Sequence, residues 1–265
     1  MVSAKKKLAV IVPCHNETAN ISPFYETAKK TLDALPLDWA LVFVNDASTD
    51  DTLEKILALR ERDARVRVAT LSRNFGYHAA LVAGLTSADA DLYAIVDVDG
   101  EDPPELLAKF HAAIAKGAHT VYGIRSERPE PAYIIFFRWL FYRVNSMIAD
   151  GPTRLWMAEF SMFTRTVRDY ILVNKTTFPF LRAEMTYVGL RMEGVSYARQ
   201  PRLRGRSHYN FLQMGKFAVG GFLASSTFPL RAGVYLAGAF ALAYLLLAAA
   251  LRVTLVEAGA LAVFA

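Results

Sequence analysis

The chain has 265 residues, 54% of them hydrophobic and 21% charged, and 30 Lys and Arg against 25 Asp and Glu give a formal charge of +5. Its mean hydropathy of +0.23 excludes a disordered chain and argues against a wholly soluble one. The positive charge suits an anionic partner such as a nucleotide, a phospholipid or a nucleic acid, and the single cysteine, Cys14, excludes a disulfide framework or a multi-cysteine zinc site.

The lysines before Leu8 are followed by an apolar run, Leu8–Val12, that is too short for a signal peptide and ends at Pro13. That run reads as a strand. Leu41–Asn45, Val66–Leu71, Leu92–Val98 and Thr120–Ile124 read the same way. Helical patterns separate them near Ile21–Leu35, Asp51–Arg62, Tyr77–Ser87 and Glu105–Lys116. This alternation predicts an open, mostly parallel α/β sheet, with ligands bound beyond the carboxyl ends of its strands.

The first strand ends in Pro13-Cys14-His15-Asn16-Glu17. No strand is followed by a dinucleotide or P-loop glycine fingerprint, which argues against an oxidoreductase or a P-loop NTPase. The second ends in Asn45-Asp46-Ala47-Ser48-Thr49-Asp50-Asp51-Thr52. Ser48, Thr49 or Asp50 suits a helix cap, whereas the carboxylate of Asp46 is placed to accept an N–H of a nucleobase. After the third strand, Arg73 and the following helix N-terminus favour an anion. The fourth leads into Asp97-Val98-Asp99-Gly100-Glu101-Asp102-Pro103-Pro104-Glu105. In an extended segment Asp97, Asp99 and Glu101 share one side. Such hard oxygen donors suit Mg²⁺ or Mn²⁺ bound together with a diphosphate. A solvated acidic turn before a helix is the plain alternative. The fifth strand ends at Arg125, with Arg128 just beyond.

The rest of the chain is more apolar. Tyr133–Ile148 mixes large aromatics with Arg138 and Arg143, as a helix in a headgroup layer would. Phe211–Phe228 is a second candidate, with Lys216 its one charge. The basic run Arg199-Gln200-Pro201-Arg202-Leu203-Arg204-Gly205-Arg206-Ser207-His208 either grips a phosphate or meets lipid headgroups. Ala232–Leu251 is free of charge between Arg231 and Arg252, and about 20 apolar residues cross a bilayer. The remaining tail opens a second span or lies at the interface.

In their order, LAVIVPCHNE, VNDASTDDT, LSRNFGYHAALVAGL, DVDGEDPPE and VYGIRSER resemble the inverting family 2 glycosyltransferases. They are most similar to the group that glycosylates polyprenyl phosphates, and RQPRLRGRSHYNF is similar to that group's R-x-x-G-x-S-K-Y segment. The resemblance covers about residues 8 to 251. It implies a GT-A fold over residues 1–209, with an interface helix at 131–150. It further implies a juxtamembrane region at 210–230, a transmembrane helix at 231–252, and a tail or second span at 253–265. The implied donor is a UDP- or GDP-linked hexose and the implied acceptor an undecaprenyl or dolichyl phosphate, with a lipid bilayer as a further partner. No nucleic acid is implied, and a homo-oligomer is left open.

The resemblance also implies site residues. Pro13, Glu17, Asp46, Arg73 and Asp97 would bind the nucleotide sugar, and Asp97, Asp99 and Glu101 the metal. Arg125, Arg202 and Ser207 would meet the acceptor phosphate. Asp97, Asp99, Arg125 and Arg202 would be the catalytic set. This chain departs from the group's pattern at Glu101 in place of glutamine, at Glu159-Phe160-Ser161 in place of Asp-Phe-Arg, and at His208 in place of lysine.

Two other functions compete. A processive polysaccharide synthase would carry Q-x-x-R-W, and Ile135 stands at the glutamine position before Arg138-Trp139. A non-catalytic nucleotide-sugar-binding membrane protein would have little use for Asp97 and Asp99. Lys216 and Arg231 precede the apolar span and Glu257 follows it near Arg252. That slight bias predicts a membrane protein with its catalytic domain on the cytoplasmic face.

Overall fold

A computed structural model describes residues 5–125, 157–173, 179–200 and 226–263, and the single positions 136, 139, 140, 143, 144, 147 and 220. β1 (Lys7–Cys14) sends alternate side chains to opposite faces, as a strand must. Leu8, Val10, Val12 and Cys14 enter one apolar layer, and Ala9 and Ile11 the other. Both faces are covered, which is why the strand reads as an unbroken apolar run. Around it lie β2 (Asp38–Asn45), β3 (Val66–Thr70), β4 (Leu92–Ile95), β5 (Thr120–Arg125), β6 (Met157–Thr164) and β7 (Met192–Tyr197). The seven strands take the order β3-β2-β1-β4-β6-β5-β7.

The helices are α1 (Ile21–Asp33), α2 (Thr52–Arg62), α3 (Tyr77–Ser87), α4 (Leu107–Ala115), α5 (Arg165–Val173), α6 (Leu181–Tyr187) and the long α7 (Phe228–Val263). The first layer is closed by α1, α2 and α4, through residues such as Phe24, Ile56 and Phe110. α1 buries Ile21, Phe24, Tyr25, Ala28 and Leu32, the stripe expected of an amphipathic helix. The second layer is closed by α3, α5 and α6 through Leu81, Leu85, Val167, Ile171 and Leu181.

The expectation of a mostly parallel sheet holds for β1 with β2 and β4, for β2 with β3 and for β5 with β7. β6 runs antiparallel to both of its neighbours, β4 and β5. The strand predicted over Leu92–Val98 ends at Ile95, where its pairing with Ile11 ends. Ile11 turns its carbonyl toward the β4 side, accepting from Val96 N at 3.1 Å. Pro13, two residues on, faces the same side and has no N–H to offer. The β1–β4 ladder stops there, while β1 goes on pairing with β2 as far as Cys14 and Asn45. The two strands also belong to opposite halves of the winding, so a crevice opens at the switch point.

α7 contains one stretch, Leu230–Arg252, that is long and apolar enough to cross a membrane, and none of it is buried. Its large side chains are exposed all round, including Tyr235, Phe240, Leu245 and Leu251. By length and composition it is a candidate membrane span.

α3 approaches the sheet through Gly84. A Cβ there would lie 2.4 Å from Cγ2 of Ile11 and 2.8 Å from Cγ2 of Val44. Both neighbours are β-branched and fully buried, so neither can swing away. Gly84→Ala is expected to destabilise the protein by about 1–3 kcal/mol through overpacking. Urea unfolding of the two proteins side by side checks this; equal midpoints would mean that α3 does not rest on β1 and β2 as described.

Candidate active site

The loops after β1, β2 and β3 are tied to one another at the mouth of the crevice. His15 Nδ1 donates to the carbonyl of Asp46 at 2.8 Å. Its Nε2 is then the acceptor, 3.0 Å from Nδ2 of Asn74. Asn16 donates its backbone N–H to Ser48 Oγ at 3.0 Å, and its side-chain oxygen accepts from Thr49 N at 2.8 Å. Glu17 N donates to Thr52 Oγ1 at 2.9 Å. This clasp holds two non-glycine residues in the left-handed region, Asn16 at φ 56° and Ala47 at φ 49°. Such strain persists only where its surroundings enforce it, and it gathers at functional sites.

Asp46 is buried at the centre of the clasp. One carboxylate oxygen accepts from Phe75 N and the other from Gly76 N, both at 2.8 Å. The side chain read as a nucleobase partner thus also fixes the loop that starts α3. Gly76, at φ 93°, is the N-cap of α3 and needs the freedom of glycine. Beside it Arg73 lies over the ring of Phe75 at 4.0 Å, and both side chains are exposed at the rim. The N-cap residue of α2 is Asp51 rather than Ser48, Thr49 or Asp50, although Asp50 accepts from the N–H of Thr52, the first helical residue, at 3.1 Å.

The acidic segment forms the opposite wall. Asp97 accepts from the hydroxyl of Tyr77 at 2.7 Å. Burial first, then the carboxylates of Asp102 and Asp99, push the pKa of Asp97 up to about 7. The segment does not stay extended. Asp99 accepts from the backbone of Glu101 at 3.0 Å, and Gly100 at φ 77° turns the chain. The turn breaks the two-residue alternation on which the three-carboxylate reading relied. Glu101 reaches Arg199, with which it forms an ion pair, and its carbonyl accepts from Gln200 N at 3.0 Å. Asp102 is buried against Arg125 and Tyr197.

A divalent cation fits this donor set in one respect. Asp97 and Asp99 are hard, crowded carboxylates whose mutual repulsion a cation would relieve. Among the described residues, no three His, Cys, Asp or Glu side chains are arranged to enclose a metal by themselves. Such a cation would therefore rely on water or on substrate phosphates for its other contacts, as Mg²⁺ commonly does.

Of the other expected residues, Pro13 is buried within β1 and Glu17 is half-buried, accepting from Asn20 Nδ2 at 2.6 Å. Arg128, Arg138, Arg202, Arg204, Gly205, Arg206, Ser207, His208 and Lys216 lie outside the described residues. Phe136, Trp139, Leu140, Val144 and Met147 are helical and exposed, at a spacing that puts them on one side of a helix.

Sequence reasoning did not single out a buried group behind Tyr77. His78 stands 3.9 Å from a carboxylate oxygen of Glu159, and Arg182 pairs with that same oxygen at 2.7 Å. The His78 ring meets Phe180 edge-on at 5.6 Å between centroids. Burial lowers the pKa of His78; Glu159 raises it in part and Arg182 opposes that gain. The departure at Glu159-Phe160-Ser161 was the one available signal. Ser161 is buried and donates to the carbonyl of Glu159 at 2.8 Å.

Residues 9–176, more than half of the chain, match the family described as Glycosyl transferase family 2. The chain belongs to that family. A bactoprenol glucosyl transferase from Shigella phage SfV is 31% identical over 232 residues, covering 87% of this chain and 75% of the relative. Among solved structures, glucosyl-3-phosphoglycerate synthase from Mycobacterium tuberculosis, with Mn²⁺, UDP-glucose and glycerol 3-phosphate, aligns with a TM-score of 0.58 at 16% identity. The match covers 80% of this chain and 76% of that one. The mannosyltransferase PcManGT from Pyrobaculum calidifontis, with GDP-Man and Mn²⁺, aligns at TM-score 0.56 and 19% identity, over 78% of this chain and 59% of that one. These neighbours establish the GT-A fold of nucleotide-sugar transferases.

Asp46→Asn tests the clasp. An amide has one acceptor oxygen where the carboxylate has two, so one of the two loop N–H groups loses its partner. The expected cost is about 1–3 kcal/mol. The variant should show a lower unfolding midpoint in urea; an unchanged midpoint would mean that the loop starting α3 is not held by this carboxylate.

Proposed function

We propose that this glycosyltransferase is a membrane-associated, metal-dependent, inverting hexosyltransferase. It would move a hexose from a nucleotide-diphosphate sugar to a polyprenyl phosphate. The observation that carries the reading is the Asp97–Asp99 pair beyond β4, in the crevice at the β1–β4 switch point. The likeness to a bactoprenol glucosyl transferase over most of the chain supports the acceptor.

The chemistry is economical in proton transfer. The acceptor is itself a phosphate, whose second pKa near ~6 leaves it largely ionised at neutral pH. It can attack the anomeric carbon directly, in line with the departing diphosphate, and the configuration inverts. Mg²⁺ or Mn²⁺ bound at Asp97 and Asp99 would supply neutralising charge for the leaving diphosphate. The rest is positioning. Pro13, Glu17 and Asp46 line and stiffen the nucleoside side, and Arg73 offers a cation at the rim. Arg202 and Ser207, in the basic run, are assigned to the acceptor phosphate, where a guanidinium can bind bidentately.

The apolar features fit a lipid-borne acceptor. Leu230–Arg252 would span the bilayer, and the side formed by Phe136, Trp139, Leu140, Val144 and Met147, with Arg143 among them, would rest in its interface with the guanidinium at the headgroups. The catalytic domain would face the cytoplasm, where sugar nucleotides are made.

Three experiments test the reading. Asp99→Asn should lower transfer from a radiolabelled UDP- or GDP-hexose by about 100-fold or more, with an unchanged melting curve. EDTA should abolish wild-type transfer and Mn²⁺ restore it; wild-type turnover persisting in EDTA rules out the metal. For topology, protease added to sealed right-side-out vesicles should leave the catalytic domain intact, and its digestion there would reverse the assigned orientation.

A further inference from the structure

We infer that Arg125, Asp102 and Tyr197 form a buried positioning device that sets the geometry of the Asp97–Asp99 pair, and that Arg125 serves this device rather than an acceptor phosphate. The inference rests on the metal reading above and deepens it.

The three groups are tightly joined. Arg125 Nη2 donates to both oxygens of Asp102, at 3.0 and 3.2 Å. Its Nε donates to the hydroxyl of Tyr197 at 3.1 Å, and that hydroxyl donates in turn to Asp102. Asp102 is 1% exposed and the Arg125 side chain 17%. A carboxylate buried this deeply needs a cation and hydrogen bonds, because unpaired it would be strongly destabilising. Arg125 supplies the charge and commits Nε and Nη2 to these partners, so the bidentate Nε–Nη2 fork is not offered to a phosphate.

The sheet is shaped to admit the device. Arg125 and Tyr197 are register partners at the ends of β5 and β7. Gly123, two residues before Arg125, lies under the Tyr197 ring; a Cβ there would be 2.5 Å from Cε1 of that ring. Any larger residue at 123 would push Tyr197 away from Asp102.

The lever arm is short. β4 fixes one end of the acidic segment at Ile95, and Asp102 fixes the other. Between them the Gly100 turn and the bond from Glu101 N to Asp99 leave little slack. The separation of Asp97 and Asp99 is thus set from both ends. A change at Asp102, Arg125 or Tyr197 should move the two carboxylates without touching substrate.

The test compares Arg125→Lys, Asp102→Asn and Tyr197→Phe in the full-length protein in nanodiscs. Mn²⁺ binding is read by electron paramagnetic resonance without nucleotide, and KM for polyprenyl phosphate is measured separately. All three variants should weaken Mn²⁺ binding by about 10-fold or more, as loss of an outer partner does at metal sites, with KM for the acceptor unchanged. Tyr197→Phe removes a single hydroxyl and keeps the test decisive if the other two variants fail to fold. Unchanged Mn²⁺ affinity in a folded variant would overturn the inference, even if its melting temperature fell. A raised acceptor KM in Arg125→Lys, with Asp102→Asn normal in both measurements, would return Arg125 to the phosphate. Failure of the wild-type protein to bind Mn²⁺ would instead defeat the metal reading itself.

Discussion

The site depends on where the hydrogen bonds between β1 and β4 stop. A parallel sheet tends to stay zipped, because each buried N–H and C=O needs a partner. Here the pairing ends at Ile11 and Ile95, and Pro13 brings no donor to the side on which the next bond would form. The chain is thereby free to separate after β4 while β1 and β2 remain paired to Cys14 and Asn45. Of the groups proposed for the donor, Glu17 and Asp46 follow β1 and β2 on one side of that opening, Asp97 follows β4 on the other beside Asp99, Arg73 sits at the rim and Pro13 is buried within β1 itself.

An opening of this kind exposes loops that would otherwise be mobile, and the protein meets that with polar contacts rather than apolar packing. Asp46 holds two loop amides, His15 bridges the second and third strand ends, and Asn16 is bonded to Ser48 and Thr49. The residues of this clasp are short and polar, so they hold the backbone without filling the crevice. The acidic wall is held differently, by a buried cation at Arg125 and a rim pair between Glu101 and Arg199. The Glu101–Arg199 pair is partly exposed on its arginine side, whereas loss of either partner of the buried Arg125–Asp102 pair would strand a charge and cost more.

Much of this was legible before any coordinates. The apolar runs located five of the seven described strands, and the order of motifs placed the acidic segment beyond the fourth. β6 escaped because MAEFSMFT is neither a clean alternation nor an apolar run, being buried on both faces with Glu159 and Ser161 inside it. β7 escaped because MEGVSY is a half-exposed edge with a glycine at its centre. In the site, the two-residue rule put Glu101 with Asp97 and Asp99, but that rule assumes an extended chain and Gly100 turns it. The partnership of Asp102 with Arg125 and Tyr197 spans 23 and 95 residues. Local spacing carries no trace of contacts that only the sheet order creates.

The buried group at His78 shows why a histidine beside an acid is not by itself a catalytic pair. Glu159 could in principle orient and charge that imidazole. Arg182, however, stands 2.7 Å from the same carboxylate oxygen, against 3.9 Å for His78, and satisfies its charge first. His78 also meets Phe180 edge-on, and its burial favours the neutral ring. The group therefore packs the start of α3, directly behind Tyr77 and its bond to Asp97. On the proposed transfer to an already ionised phosphate, no proton would need to pass through it, and the buried charges would serve to hold carboxylates in place.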